Sequence, residues 1–96
     1  MGVKDKGLSY LLIRKKPVML LIQLARSQKM MYTSVLAKEI NCTYSHTVKM
    51  LAELRKKKIV NFERKGRLKF VKLTRKGKEL AEALERLMSI INKIDF

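Results

Sequence analysis

Ser34–Leu54 reads SVLAKEINCTYSHTVKMLAEL, and its pattern is that of two short amphipathic helices joined by a tight turn. Val35, Leu36 and Ile40 recur at helical spacing, with Lys38 and Glu39 turned outward. Asn41 stands where the chain must reverse, and asparagine tolerates the left-handed conformation that ends a helix. Thr43 is a fitting N-cap for the second helix, since its hydroxyl can accept from the N–H of Ser45 or His46. Thr47, Met50, Leu51 and Leu54 then repeat at three and four, which predicts one inward face. Tyr44, Ser45, His46 and Lys49 are left facing outward. A helix-turn-helix has this build, its second helix offering hydrogen-bonding side chains to a groove.

The composition narrows the partner. Lys and Arg number 23 against 8 Asp and Glu in 96 residues, a formal net charge of +15. A surface so basic implies a polyanion, nucleic acid first and an anionic membrane second. Thirteen of the 23 basic residues fall between Lys49 and Lys78, where the only acids are Glu53 and Glu63. From Glu79 to Phe96 the balance reverses, with Glu79, Glu82, Glu85 and Asp95 against Arg86 and Lys93. The middle of the chain is therefore the expected polyanion surface, and the C-terminal helix is not. A solvated face suffices to explain Lys4 and Lys6.

A hydrophobic content of 47% excludes disorder, and the length suits one domain, 1–96. The longest apolar candidate, Leu8–Ala25, is cut by Arg14-Lys15-Lys16-Pro17 and has no cleavage site, so neither a membrane span nor a signal peptide is expected. The single Cys42 cannot close an internal disulfide and fits a reducing interior. The expected location is cytoplasmic and nucleoid-associated.

Met1–Gly7 is polar and expected to fray, and Leu8–Ile13 reads as either a helical turn or a strand. Pro17 suits the first turn of a helix whose inner stripe is Val18, Leu21, Ile22 and Ala25. Met19, Leu20 and Leu24 make that helix apolar almost all round, which points to a subunit interface. Met30–Tyr32 can add a short strand before Thr33 or Ser34 caps the next helix. Beyond the second helix, Arg55-Lys56-Lys57-Lys58 close its C-terminus, where cations favour the helix dipole. Val60 and Phe62 alternate with Asn61 and Glu63, Lys65-Gly66 signals a hairpin turn, and Arg67–Leu73 returns as a second strand. Phe70 and Val71 break the alternation, which predicts a bulge or twist. Thr74 is read as an N-cap, with a long helix from Glu79 to about Ile94. Leu80, Leu84, Leu87, Ile91 and Ile94 alternate at spacings of four and three, a coiled-coil seam that either pairs two protomers or packs back on its own domain.

In order, these elements resemble the winged-helix domains of MarR-type and ArsR-type transcription regulators, short archaeal members especially. The resemblance covers roughly residues 17–80 and is carried by LAKEI at Leu36–Ile40, TYSHTV at Thr43–Val48, MLAEL at Met50–Leu54, Ile59-Val60, and VKLTRKGKEL at Val71–Leu80. The sequence departs from the family in having Lys58 where glycine usually precedes the first wing strand. The implied fold is mainly α (α+β): a winged helix-turn-helix with a two-stranded wing and a long C-terminal helix over 79–96. The resemblance implies a homodimer on a roughly palindromic duplex DNA site, paired through terminal helices.

Helix 44–57 is then expected in the major groove, with Tyr44, Ser45, His46, Val48 and Lys49 nearest the bases. Tyr44 and His46 can instead grip phosphate or pack locally. Arg64, Lys65, Gly66, Arg67 and Lys69 form the wing contact to backbone or minor groove. Arg55, Lys56, Lys57, Arg75 and Lys76 are read as phosphate clamps. The expected dimer interface is Leu20, Leu24, Leu80, Leu84, Leu87, Ile91 and Ile94. No catalytic group stands out: there is one His, one Cys and no glycine-rich phosphate loop, so neither enzyme activity nor a cofactor is expected. Cys42 and His46 are two potential metal ligands, too few for a site, and a core role for Cys42 is the simpler reading. A redox switch at Cys42 is the less favoured reading, since its apolar neighbours point to burial. Three functions fit: a sequence-specific transcription regulator, an architectural DNA coater of low specificity, or an interaction module within a larger nucleic-acid machine. Neither the operator nor any small-molecule effector can be read from the sequence.

Overall fold

The computed structural model of the chain describes residues 14–27 and 30–95. The Met1–Gly7 and Leu8–Ile13 readings lie outside the described residues. In order come α1 (Lys15–Arg26), α2 (Thr33–Glu39), α3 (Tyr44–Lys56), β1 (Val60–Lys65), β2 (Leu68–Leu73) and α4 (Arg75–Asp95).

Pro17 falls in the first turn of α1, where its missing N–H has no helical partner to lose. The buried line of α1 is Pro17, Leu20 and Leu21, with Leu24 packed against the core. The expected stripe is therefore rotated by about one residue: Val18 and Ile22 are half-buried, and Ala25 is exposed. In a helix apolar on most sides, the neighbour chooses the face, and here α1 lies against α4. The Lys16 ammonium donates to the carbonyls of Ile40 (2.6 Å) and Asn41 (3.0 Å), which ties α1 to the end of α2.

The short strand expected at Met30–Tyr32 is one bridge, Met31 to Val71, with the Val71 N–H donating to the Met31 carbonyl at 2.7 Å. Neither Thr33 nor Ser34 caps α2. Tyr32 holds the N-cap position without a side-chain bond, because the Met31 bridge and the Tyr32–Phe70 ring contact (5.6 Å) bring the chain into the helix one residue earlier. Both helices of the pair end in the same way. Asn41 has φ 54°, its N–H donates to Lys38 and that of Cys42 to Ala37. Lys58 has φ 61°, its N–H donates to Arg55 and that of Ile59 to Leu54. Each pair of bonds is a Schellman motif, which satisfies carbonyls the helix would leave open. At the start of α3, Thr43 Oγ1 accepts from the His46 N–H at 3.2 Å, the expected cap.

The hairpin pairs Val60 with Leu73 through Lys65 with Leu68 in unbroken register. Its loop is Gly66-Arg67, one residue beyond the expected Lys65-Gly66, with the positive φ (64°) on Gly66 alone, as a type II′ turn requires. There is no bulge at Phe70–Val71. Both residues are buried because β2 is covered on both faces there, Val71 by the core and Phe70 by Tyr32. Thr74 caps α4 as expected, accepting from the Gly77 N–H at 3.0 Å, but the helix begins at Arg75 rather than Glu79. The core gathers Leu20, Leu21, Leu36, Ile40, Leu51, Leu54, Val60 and Ala81, with Met50 beside them.

Candidate nucleic-acid interface

Helix α3 is fixed from beneath by Thr47, Met50, Leu51 and Leu54, all buried, so its opposite side has one possible orientation. Thr47 satisfies its hydroxyl by donating to the Thr43 carbonyl at 2.8 Å. The outermost line, at spacings of four, three and four, is Ser45, Lys49, Ala52 and Lys56, all exposed. Tyr44, Val48 and Arg55 stand on the flank toward the wing, and His46 on the flank toward α1. The five residues expected at the bases, Tyr44, Ser45, His46, Val48 and Lys49, are thus all exposed on the first half of one helix. Tyr44 is 60% accessible.

Between α3 and the wing runs a cleft of about 490 Å³ with an apolar floor of Val48, Ala52 and Phe62. Phe62 is the organising residue here. The Lys69 ammonium lies 4.2 Å from its ring centroid and the Arg55 guanidinium 5.3 Å, so one ring holds a cation from β2 and another from α3. Arg64, Lys65, Gly66, Arg67 and Lys69 are all exposed around the hairpin tip. On the other flank, His46 faces Arg14, Lys15 and Lys16 across a cavity of about 230 Å³. Both acids of the basic block are matched by a lysine, Glu53 with Lys56 (3.9 Å) and Glu63 with Lys72 (3.7 Å). Among the described residues, the remaining cations of the block meet no carboxylate.

The residues expected at a dimer interface divide. Leu20 is fully buried and Leu84 is 9% exposed, both inside the protomer core, so neither offers surface to a partner. Leu24 and Leu80 pack partly against the same core. Glu85 is held to Arg26 by an ion pair of 2.7 Å, and α4 continues beyond it to Asp95. Leu87, Ile90, Ile91 and Ile94 are exposed there, Ile94 at 77%.

Ala52, Phe62 and Lys16 are not among the residues expected at the interface. Ala52 was visible in the period of α3; Phe62 and Lys16 act through other elements and leave no local signal. Cys42 is half-buried against the core. Among the described residues no three His, Cys, Asp or Glu side chains gather as a metal site, and no helix is long and apolar enough to cross a membrane.

In fold the chain is similar to AF1382 from Archaeoglobus fulgidus, with a TM-score of 0.78 and 24% identity over 85% of this chain and 93% of that one. It is also similar to a possible HxlR family transcriptional factor from Thermoplasma volcanium GSS1, with a TM-score of 0.84 and 18% identity over 99% and 86% of the two chains. A third likeness is to MepR, a transcription regulator of the Staphylococcus aureus multidrug efflux pump MepA (TM-score 0.75, 22% identity, 83% of this chain). The chain spans only 61% of MepR's length. MepR has also been solved in complex with DNA, and the likeness persists there at a TM-score of 0.73. No protein-family profile and no curated relative matches the sequence. The likenesses, with the element order and hairpin, define a winged helix fold.

Proposed function

We propose that this chain is a DNA-binding transcription regulator of the MarR type, acting as a homodimer on a pseudo-palindromic duplex site. One observation carries the reading: Ser45 and Lys49 lie on the outermost line of a rigidly seated helix, flanked by a cationic wing, where a block of thirteen basic residues and two acids begins at Lys49. Lys49 is suited to guanine O6 or N7, Ser45 and His46 to base edges or phosphate, and Val48 to a thymine methyl. Arg64, Lys65, Arg67 and Lys69 grip the backbone or enter the adjacent minor groove. The likeness to transcription regulators, one of them solved with DNA, supports the same role. The exposed end of α4 supports dimerisation, since Leu87, Ile91 and Ile94 form an exposed apolar face among the described residues.

Selection of bound duplexes from a random pool tests the proposal. Enrichment of a two-fold symmetric site is expected, with half-sites about 34–36 Å apart. A pool that stays random while binding remains tight would replace this reading with an architectural coater, which the charge of +15 favours as the second choice.

A further inference from the structure

The cations of this chain do not all surround the reading helix. Lys57 and Lys58 follow the end of α3, and Arg75, Lys76 and Lys78 open α4. Thr74 pins the two stretches together: its hydroxyl donates to the Lys58 carbonyl at 2.7 Å and its N–H to the Ile59 carbonyl at 3.0 Å. Lys58, Arg75, Lys76 and Lys78 are exposed and Lys57 is half-buried. Among the described residues none of the five is in an ion pair, and Glu79 one turn into α4 pairs with none of them.

The patch lies at the opposite ends of the elements that carry the reading surface. From Ser45 to Lys57 is twelve residues of helix, about 18 Å. The six residues of β2 separate the wing tip from Thr74 by roughly 20 Å. A major groove about 12 Å wide, occupied by Ser45, Lys49 and the wing tip, leaves these cations outside it. Their placement also runs against the fold. Cations in the first turn of α4 oppose its dipole, and acids are absent there. Lys58 holds a left-handed φ that glycine adopts at less cost.

We infer that Lys57, Lys58, Arg75, Lys76 and Lys78 form a second duplex-binding surface, so that Lys57, Arg75 and Lys76 clamp the phosphates of another DNA segment and not of the one that α3 reads. The inference rests on the DNA-binding role proposed above. The patch offers charge without groups arranged to read bases, so it takes the sugar-phosphate backbone of any sequence.

A capture experiment decides it. Wild-type protein is loaded on an immobilised duplex, and a labelled duplex of unrelated sequence is added. The Lys58→Gly, Lys78→Gln double variant is the comparison, which leaves the expected clamps Lys57, Arg75 and Lys76 in place. Each substitution removes a penalty on the fold, so the variant should melt at or above the wild-type temperature. Affinity for a single duplex should stay within about threefold, while second-duplex capture falls roughly tenfold or more. Capture that persists in the double variant would assign bridging to the two reading helices of a dimer and overturn the inference. So would an equal loss of affinity and capture, which would make the patch a clamp on the first duplex. Wild-type protein that binds one duplex and captures no second would also refute it, with the DNA-binding reading intact. Failure to bind any duplex would remove both.

Discussion

Gly77 lies directly over the carbonyl oxygen of Ile59, so near that a Cβ at position 77 would occupy the oxygen's space. The contact seats the first turn of α4 on the chain leaving α3, beside the bonds that Thr74 makes to Lys58 and Ile59. The glycine of the TRKGKEL run is there for this approach and not for a turn.

Gly77→Ala should therefore destabilise the protein by about 1–3 kcal/mol, although helix propensity alone would favour alanine by roughly 1 kcal/mol. Urea unfolding measures the sign. A variant as stable as the parent would mean that the helix shifts freely off Ile59.

Lys58→Gly should act in the opposite direction. Lys58 is at φ 61° in the closing motif of α3, and its side chain makes no ion pair among the described residues. Glycine should raise stability by about 1 kcal/mol, read as a higher urea midpoint at unchanged m-value. The same change at Asn41, φ 54°, should gain less, since asparagine already tolerates this region.

Reading and gripping should separate by residue. Lys49→Ala or Ser45→Ala should cost about 1–3 kcal/mol on the selected site and relax the preference at one or two base pairs. Lys65→Ala or Arg67→Ala should weaken all sequences nearly alike and lower the salt slope by about one. Competition binding across a salt series distinguishes them. Equal loss of specific and non-specific binding in Lys49→Ala would mean that α3 does not read bases.

The dimer prediction turns on the uneven burial of α4. Leu87→Glu with Ile91→Glu should give a folded monomer with much weaker site binding, because the second half-site is lost. Leu84→Glu should instead unfold the protomer, since that side chain lies in its core. Sedimentation and circular dichroism report the two outcomes. A wild-type protein already monomeric at micromolar concentration would defeat the dimer reading.

Much of the α2–α3 pair was legible because its determinants are local. The Thr43 cap spans three residues, the Asn41 reversal needs one residue tolerant of positive φ, and the Thr47–Leu54 face follows from helical period alone. Gly66 marked the hairpin for the same reason, although cross-strand pairing placed the loop one residue later. Other features belong to the tertiary structure because their partners are remote in sequence. Tyr32 enters α2 ahead of the expected caps because Met31 is already bonded to Val71. Lys16 closes α2 from twenty-four residues away. Phe62 gathers Arg55 and Lys69 only once β1 lies along α3. The seam from Leu80 to Ile94 shows best why. Its spacing is regular throughout, and a periodic apolar face looks alike whether its own domain or a second chain will cover it. Leu84 is buried in the core while Ile94 is exposed, so only the folded chain divides core from exposed surface.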